Sequence, residues 1–200
     1  MYEYLNGLIV NIEPEYIVMD VNGVGYQIMT PNPYRFPKKE MKVYTFLYVR
    51  EDIHSLYGFI SKEEQKLFKQ LLNVTGIGPK GALAILAATS PNEVAAAIET
   101  EDEKFLTKFP GVGKKTARQM ILDLKGKLAA FGSSFDQQLN VDDLTAIDSQ
   151  NEIEEAILAL KALGYSDREL NKIKKDLQSL DHLSTDQYVK KALQMLMAKG

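Results

Sequence analysis

Apolar and polar residues change rhythm twice along this chain of 200 residues. Up to Phe59, short runs rich in β-branched and aromatic residues (8–10, 16–19, 26–28, 43–49 and 56–59) alternate with turn residues such as Pro14, Asn22-Gly23 and Pro31-Asn32-Pro33. Five short strands in about 60 residues predict a small closed barrel of the oligonucleotide-binding type. From Ser61 the period becomes helical, with Leu67, Phe68, Leu71 and Leu72 on one face. Ser61 with Glu64, Ser90 with Glu93 and Thr100 with Glu103 each match a capping box, and Pro91 suits a first helical position. Five helices are therefore expected within residues 62–129. After Gly132 the chain turns polar and acidic, from Ser133-Ser134-Phe135-Asp136 to Gln150. Such a stretch buries too little apolar area to offset its chain entropy, which predicts a mobile linker. Three more helical runs follow, 152–163, 166–179 and 185–198, the second opened by Ser166 with Glu169. Ile153, Ala156, Ile157 and Leu160 are expected to face Leu177, Leu193 and Leu196 in a three-helix bundle. The predicted class is multidomain α+β: a barrel over 1–63, an all-α block over 64–131, a linker over 132–151 and a bundle over 152–200.

Within the all-α block one phrase occurs twice, Thr75-Gly76-Ile77-Gly78-Pro79-Lys80-Gly81 and Pro110-Gly111-Val112-Gly113-Lys114-Lys115-Thr116. Each copy follows one amphipathic helix and opens another. Two glycines let the backbone turn sharply and present bare N–H groups at the positive end of the next helix, where an anion is stabilised without a side chain. Lys80, Lys114 and Lys115 add mobile positive charge beside them. The tandem resembles the helix-hairpin-helix motif, which holds DNA by its backbone with little regard to base sequence. Gly76, Gly78, Lys80, Gly111, Gly113, Lys114, Lys115 and Thr116 are the expected DNA contacts. Read singly, each copy is also what an ordinary glycine helix cap looks like.

Two nucleotide-site readings fail. The string Gly76-Ile77-Gly78-Pro79-Lys80-Gly81 has the spacing of a dinucleotide fingerprint, but a helix rather than a strand is predicted before it. Around Lys115-Thr116 a Walker loop would need glycine at positions 109 and 114, which hold Phe109 and Lys114. No ATP site and no cofactor are expected.

The net charge of −3 looks unsuited to DNA until it is divided along the chain. Residues 64–130 carry ten basic and seven acidic side chains, whereas residues 131–152 carry five acids and no base. The positive excess falls where the two hairpins are, and local charge is what attracts a polyanion. There is no cysteine, so disulfides and thiolate metal sites are excluded. The two histidines, His54 and His182, lack metal-ligand spacing, and no metal site is expected. The first residues carry no basic segment leading into an apolar core, and no apolar run approaches the roughly 20 residues of a membrane span. A cytoplasmic location is the expectation.

Taken together, the whole chain resembles the RuvA family, the Holliday-junction-binding subunits of the bacterial branch migration complex. The resemblance rests on Asn22-Gly23-Val24-Gly25-Tyr26, on Arg50-Glu51-Asp52 followed by Leu56-Tyr57-Gly58-Phe59, on the two glycine phrases with Phe109 to Ala117, and on Ala162-Leu163-Gly164-Tyr165. It implies an OB-fold-like barrel that assembles a homotetramer, one or two of which hold a four-way junction. It implies a tandem helix-hairpin-helix domain facing the DNA, and a tethered bundle that contacts the hexameric RuvB ATPase near Leu163, Gly164 and Tyr165, with the RuvC resolvase in the same complex. Glu51 and Asp52 would form an acidic pin at the junction centre, although by themselves they read as a solvated hairpin tip. Gly164 by itself reads as a helix cap, and the barrel as an assembly scaffold or a direct binder.

An enzyme is the competing class. Base-excision glycosylases carry a similar hairpin, and in the lyase kind a lysine placed like Lys115 is the nucleophile. That chemistry needs a nearby carboxylate and a base pocket. Asp123 lies about two turns further along the same helix and Asp136 lies in the predicted linker, so a non-catalytic DNA-binding role is expected.

Overall fold

The computed structural model of the chain describes residues 2–128, 149–180 and 183–199. Strands β1 (Tyr4–Ile12), β2 (Tyr16–Val21), β3 (Val24–Met29), β4 (Glu40–Val49) and β5 (His54–Phe59) close into a barrel in the order β1-β2-β3-β5-β4. All neighbours are antiparallel except β3 and β5, which meet in parallel at Met29 and Tyr57. β1 extends beyond the predicted 8–10 at both ends because it serves two neighbours, β2 and β4, and bulges between Ile9 and Asn11 to do so. Leu5, Ile9, Ile17, Met19, Ile28, Phe36, Val43 and Leu56 fill the barrel. Closure brings backbones too near for side chains at two places. A Cβ on Gly7 would stand 2.1 Å from the Asp20 carbonyl oxygen, and one on Gly58 would stand 2.4 Å from Ile28 Cγ2 and 2.7 Å from Val43 Cγ1.

The five helices of the second block are α1 (Lys62–Leu71), α2 (Pro79–Ala88), α3 (Pro91–Glu99), α4 (Glu103–Leu106) and α5 (Lys114–Leu124). α1 joins them to the barrel through aromatic packing: Phe68 lies 4.9 Å from Phe59, 5.0 Å from Tyr57 and 5.9 Å from Phe46, ring centre to ring centre. Beside it the buried Gln65 Nε2 donates to the Thr45 carbonyl at 2.6 Å, and Glu64 takes Arg35 at 3.0 Å.

Of the predicted capping boxes, Ser90 with Glu93 and Ser166 with Glu169 form completely. Ser61 does cap α1, but the Glu64 carboxylate is drawn to Arg35 and to the Ile60 N–H instead of closing the box. Thr100 is not the N-cap of α4 but the C-cap of α3. Glu101 turns left-handed (φ 54°), α4 starts later, and Asp102 accepts the capping bond from Phe105 N–H at 3.0 Å while the Thr100 hydroxyl donates to the Ala96 carbonyl.

The last three helices are α6 (Ser149–Ala162), α7 (Asp167–Gln178) and α8 (Thr185–Lys199). α6 begins inside the stretch assigned to the linker, because its first turn is polar and the apolar period announces it only from Ile153. The rest of that predicted linker, 132–148, lies outside the described residues, as does His182. Ile153, Ala156, Leu160, Leu177 and Leu193 are buried as expected, with Ile157 and Leu196 partly so. The bundle does not stand apart on its tether. α8 packs against α2, and one continuous apolar core runs from the barrel-facing α1 through the hairpin block into the bundle. No single helix among the described residues is long and apolar enough to cross a membrane.

Candidate nucleic-acid interface

The two glycine phrases fold into the same object. In each, the first glycine is left-handed, Gly76 at φ +94° and Gly111 at φ +76°, a conformation other residues adopt only with strain. The following apolar residue is buried and its N–H closes a tight turn at 3.1 Å, Ile77 onto the Val74 carbonyl and Val112 onto the Phe109 carbonyl. The second glycine caps the next helix with nearly the same angles, Gly78 at φ −97°, ψ 177° and Gly113 at φ −85°, ψ 175°. Neither cap supplies a side-chain acceptor, so the first N–H groups of α2 and α5 stay open at the positive helix ends.

Gly78 and Gly113 carry a second message. Their backbone angles suit any residue, and a Cβ built on either meets nothing within 4 Å. The fold itself therefore does not require glycine at these caps. What a missing side chain does provide is close access to the N–H groups from outside the molecule.

The two turns lie side by side. The Thr116 hydroxyl is 3.6 Å from where a Cβ on Gly76 would stand, so the start of α5 touches the first hairpin. Thr116 is half-buried between the turns, whereas Lys80, Lys114 and Lys115 are exposed. Among the described residues none of these three lysines makes an ion pair, in contrast to Arg118, held by Glu103 at 2.9 Å, and Lys125, held by Glu101 at 2.5 Å.

Glu51 and Asp52 occupy the exposed tip of the β4–β5 hairpin, closed by the Arg50 N–H onto the Ile53 carbonyl at 2.8 Å. Arg50 is turned back onto Tyr48, with Nε donating to the phenol at 2.9 Å, which leaves the tip's two carboxylates unneutralised by it. Leu163 and Tyr165 are buried, unlike a ready docking surface, and only Gly164 between them is exposed. They lie against the hairpin block. A cavity of about 220 Å³ is shared by Leu163 with Lys80, Leu83 and Thr30, and one of about 830 Å³ by Tyr165 with the Lys104–Gly113 side of the second hairpin. Burial, then the nearby Glu169, pushes the Tyr165 phenol up to about 12. Sequence reasoning missed this packing, because only the apolar character of Leu163 and Tyr165 hints at a covering surface.

The two residues that the lyase alternative would pair, Lys115 and Asp123, lie about two turns apart along α5. Lys115 is exposed, and Asp123 accepts from Gln119 at 2.9 Å one turn away on the same helix. Among the described residues no three histidine, aspartate or glutamate side chains gather as a metal site.

Family models match along the chain: the RuvA N terminal domain over residues 1–58, a SAM-like helix-hairpin-helix tandem over 68–126, and the RuvA C-terminal domain over 151–197. Similar full-length proteins include those named Holliday junction branch migration complex subunit RuvA in Bacillus cytotoxicus, Bacillus thuringiensis and Bacillus anthracis. Each is 56% identical over 204 aligned positions that cover 98% of both chains.

Proposed function

The chain belongs to the RuvA family, and from that membership we propose that it binds four-way (Holliday) DNA junctions by shape, holds them open and flat, and recruits the RuvB ATPase for branch migration in recombination and repair. The observation that carries the DNA-binding part is the pair of glycine caps, Gly78 and Gly113, which the fold does not need and an approaching phosphate does. The N–H groups that follow them, with Lys80, Lys114 and Lys115, grip two phosphates of one arm, and Thr116 holds the two turns in register. Contacts of this kind position the backbone and carry no base sequence.

Junction preference comes from symmetry. Four copies offer four pairs of grips to four arms, so a junction gains by multivalency what a linear duplex cannot. Exposed apolar residues on the outward face of β1, Tyr4, Leu8 and Val10, support assembly of a homotetramer through this domain. At the centre of that tetramer, Glu51 and Asp52 form a ring of carboxylates that repels phosphates and keeps strands from re-pairing at the crossover. The chain supplies no catalytic step of its own. It works in the cytoplasm, with RuvB as motor and RuvC resolvase in the same complex, and the domains divide as 1–63, 64–131 and a last block that begins with α6 at Ser149.

The test is a salt-controlled titration of a four-way junction against a linear duplex of equal length, with oligomer mass recorded, on the natural chain and on Gly78→Ala with Gly113→Ala. A tetramer with strong junction preference is expected. The double variant should lose about tenfold or more in affinity for both DNAs, while its unfolding midpoint moves only by the modest cost of alanine at two helix caps. Undiminished affinity in the variant removes the hairpins from the interface, and equal affinity for both DNAs by a monomer reduces the protein to a general backbone clamp.

A further inference from the structure

The two glycine phrases match position for position, and the matched residues are not alike. Gly78 corresponds to Gly113, Pro79 to Lys114, Lys80 to Lys115 and Gly81 to Thr116. The Ala82 N–H onto the Gly78 carbonyl at 3.0 Å and the Ala117 N–H onto the Gly113 carbonyl at 2.9 Å close the first helical bond in each copy. The N–H groups ahead of those bonds are the ones left for a ligand. α5 offers those of Lys114, Lys115 and Thr116, beside the side chains of both lysines. α2 offers those of Lys80 and Gly81 alone, because the proline at its first position has no N–H. Lys80, the one lysine of this turn, leans toward the α6–α7 turn. Its Cε lies 3.8 Å from where a Cβ on Gly164 would stand, and it borders a cavity with Leu83 and Leu163. The first hairpin is therefore the poorer of the two in positive charge.

What the first hairpin has instead is Gly81. This residue stands on ordinary helical backbone in the first turn of α2, ahead of the strong helix formers Ala82, Leu83 and Ala84. Glycine there costs stability relative to alanine. Space does not demand it. Among the described residues a Cβ on Gly81 would meet only Ile77 Cγ2, at 3.8 Å, an ordinary contact. Its counterpart Thr116 does carry a side chain, which reaches to 3.6 Å from where a Cβ on Gly76 would stand. The matching contact from position 81 to Gly111 is not made, and a Cβ on Gly111 meets nothing within 4 Å among the described residues.

The fold thus gives no reason for glycine at position 81, whereas close access from outside does. Gly81 is half-buried, next to the exposed Lys80, and its own N–H is among the donors of the first turn. Cα–Cβ bonds in a helix tilt toward its N-terminus, so a side chain at 81 would lean over that donor end.

We propose that Gly81 is a further DNA-positioning residue, the point at which a strand backbone packs closest against the first hairpin, and that the two grips are unequal: the second holds chiefly by charge and the first by close fit. This rests on the DNA-binding reading above. Charge acts over a Debye length of about 8 Å at physiological salt, while fit acts only at contact. The second hairpin therefore captures an arm, and the first fixes its register.

The test compares Gly81→Ala and Gly81→Leu with the natural chain, in unfolding and in titrations of a four-way junction at several salt concentrations. Gly81→Ala should raise the unfolding midpoint by about 1–3 °C, as alanine replaces glycine in a helix, and yet bind roughly fivefold more weakly. Gly81→Leu should bind more weakly still. In both variants the slope of log affinity against log salt should stay that of the natural chain, because no charged contact is removed. Undiminished affinity in Gly81→Leu takes position 81 out of the interface and overturns the proposal. So does a lower midpoint in Gly81→Ala, which would mean that the fold needs this glycine. A salt slope that falls together with the affinity overturns it as well, since the first grip would then hold by charge. Each of these results leaves the DNA-binding reading standing, whereas absence of DNA binding by the natural chain overturns both.

Discussion

Glycines do three different jobs in this chain, and only the neighbours of each tell them apart. Gly76 and Gly111 provide left-handed turns, Gly7 and Gly58 provide room for crossing strands, and Gly78 and Gly113 leave helix ends uncovered. The first job was legible in the repeated phrase, as was the last in outline. The second was not, because a strand glycine acquires its neighbour only when the barrel closes. Gly58→Ala should cost about 1–3 kcal/mol of stability by driving a methyl into Ile28 and Val43. A urea unfolding midpoint equal to that of the natural chain would mean that the barrel widens freely at this point. The lysines make the complementary prediction. Lys114→Ala with Lys115→Ala should weaken binding to every DNA alike and lower the salt slope by about 0.9 for each phosphate that these side chains neutralise. A slope that stays the same would take both lysines out of the interface.

At the scale of elements, helix starts were read well where the capping group had no rival and badly where it had one. Ser90 with Glu93 and Ser166 with Glu169 have no basic side chain drawing the glutamate away and close both bonds, whereas Glu64 has Arg35 within reach and Thr100 is displaced by the turn at Glu101. A hydrogen bond from the Thr89 hydroxyl, and then those from Ser90, hold the Glu93 carboxyl below the ordinary range, and the hydrogen bonds from Ser166 do the same for Glu169. Their contribution is present above the unfolded pKa and disappears as pH falls through the folded one. Glu152, buried in the first turn of α6, behaves in the opposite sense. Burial, and then the charge of Glu155, raises its pKa, so the native state holds its proton longer than the unfolded chain does. Ionisation of Glu152 therefore erodes stability as pH rises from its unfolded pKa through its folded one. Glu152→Gln should raise the melting temperature at neutral pH, with the gain shrinking as the pH is lowered through the carboxylate range. A gain that persists unchanged in acid would assign the effect to something other than charge.

For the whole molecule, the net charge of −3 conceals an acidic hairpin tip and a basic block. Glu51→Gln with Asp52→Asn should leave junction binding equal or tighter in the same titration, because it removes like charge from the crossover while touching no grip. Weaker junction binding would contradict a repulsive role. By itself the sequence determined the order of barrel, hairpin pair and bundle, since alternation, helical period and turn residues are local properties that each segment carries alone. It also determined the two glycine turns, because a glycine turn ahead of an uncapped helix is complete within about seven residues. The tertiary structure alone decided that the two glycine turns touch through Thr116 and Gly76, that Glu64 serves Arg35, and that Leu163 and Tyr165 are covered by the hairpin block. Those facts depend on which surfaces meet between residues far apart in the chain, and a pattern read along the chain holds no record of distance across it.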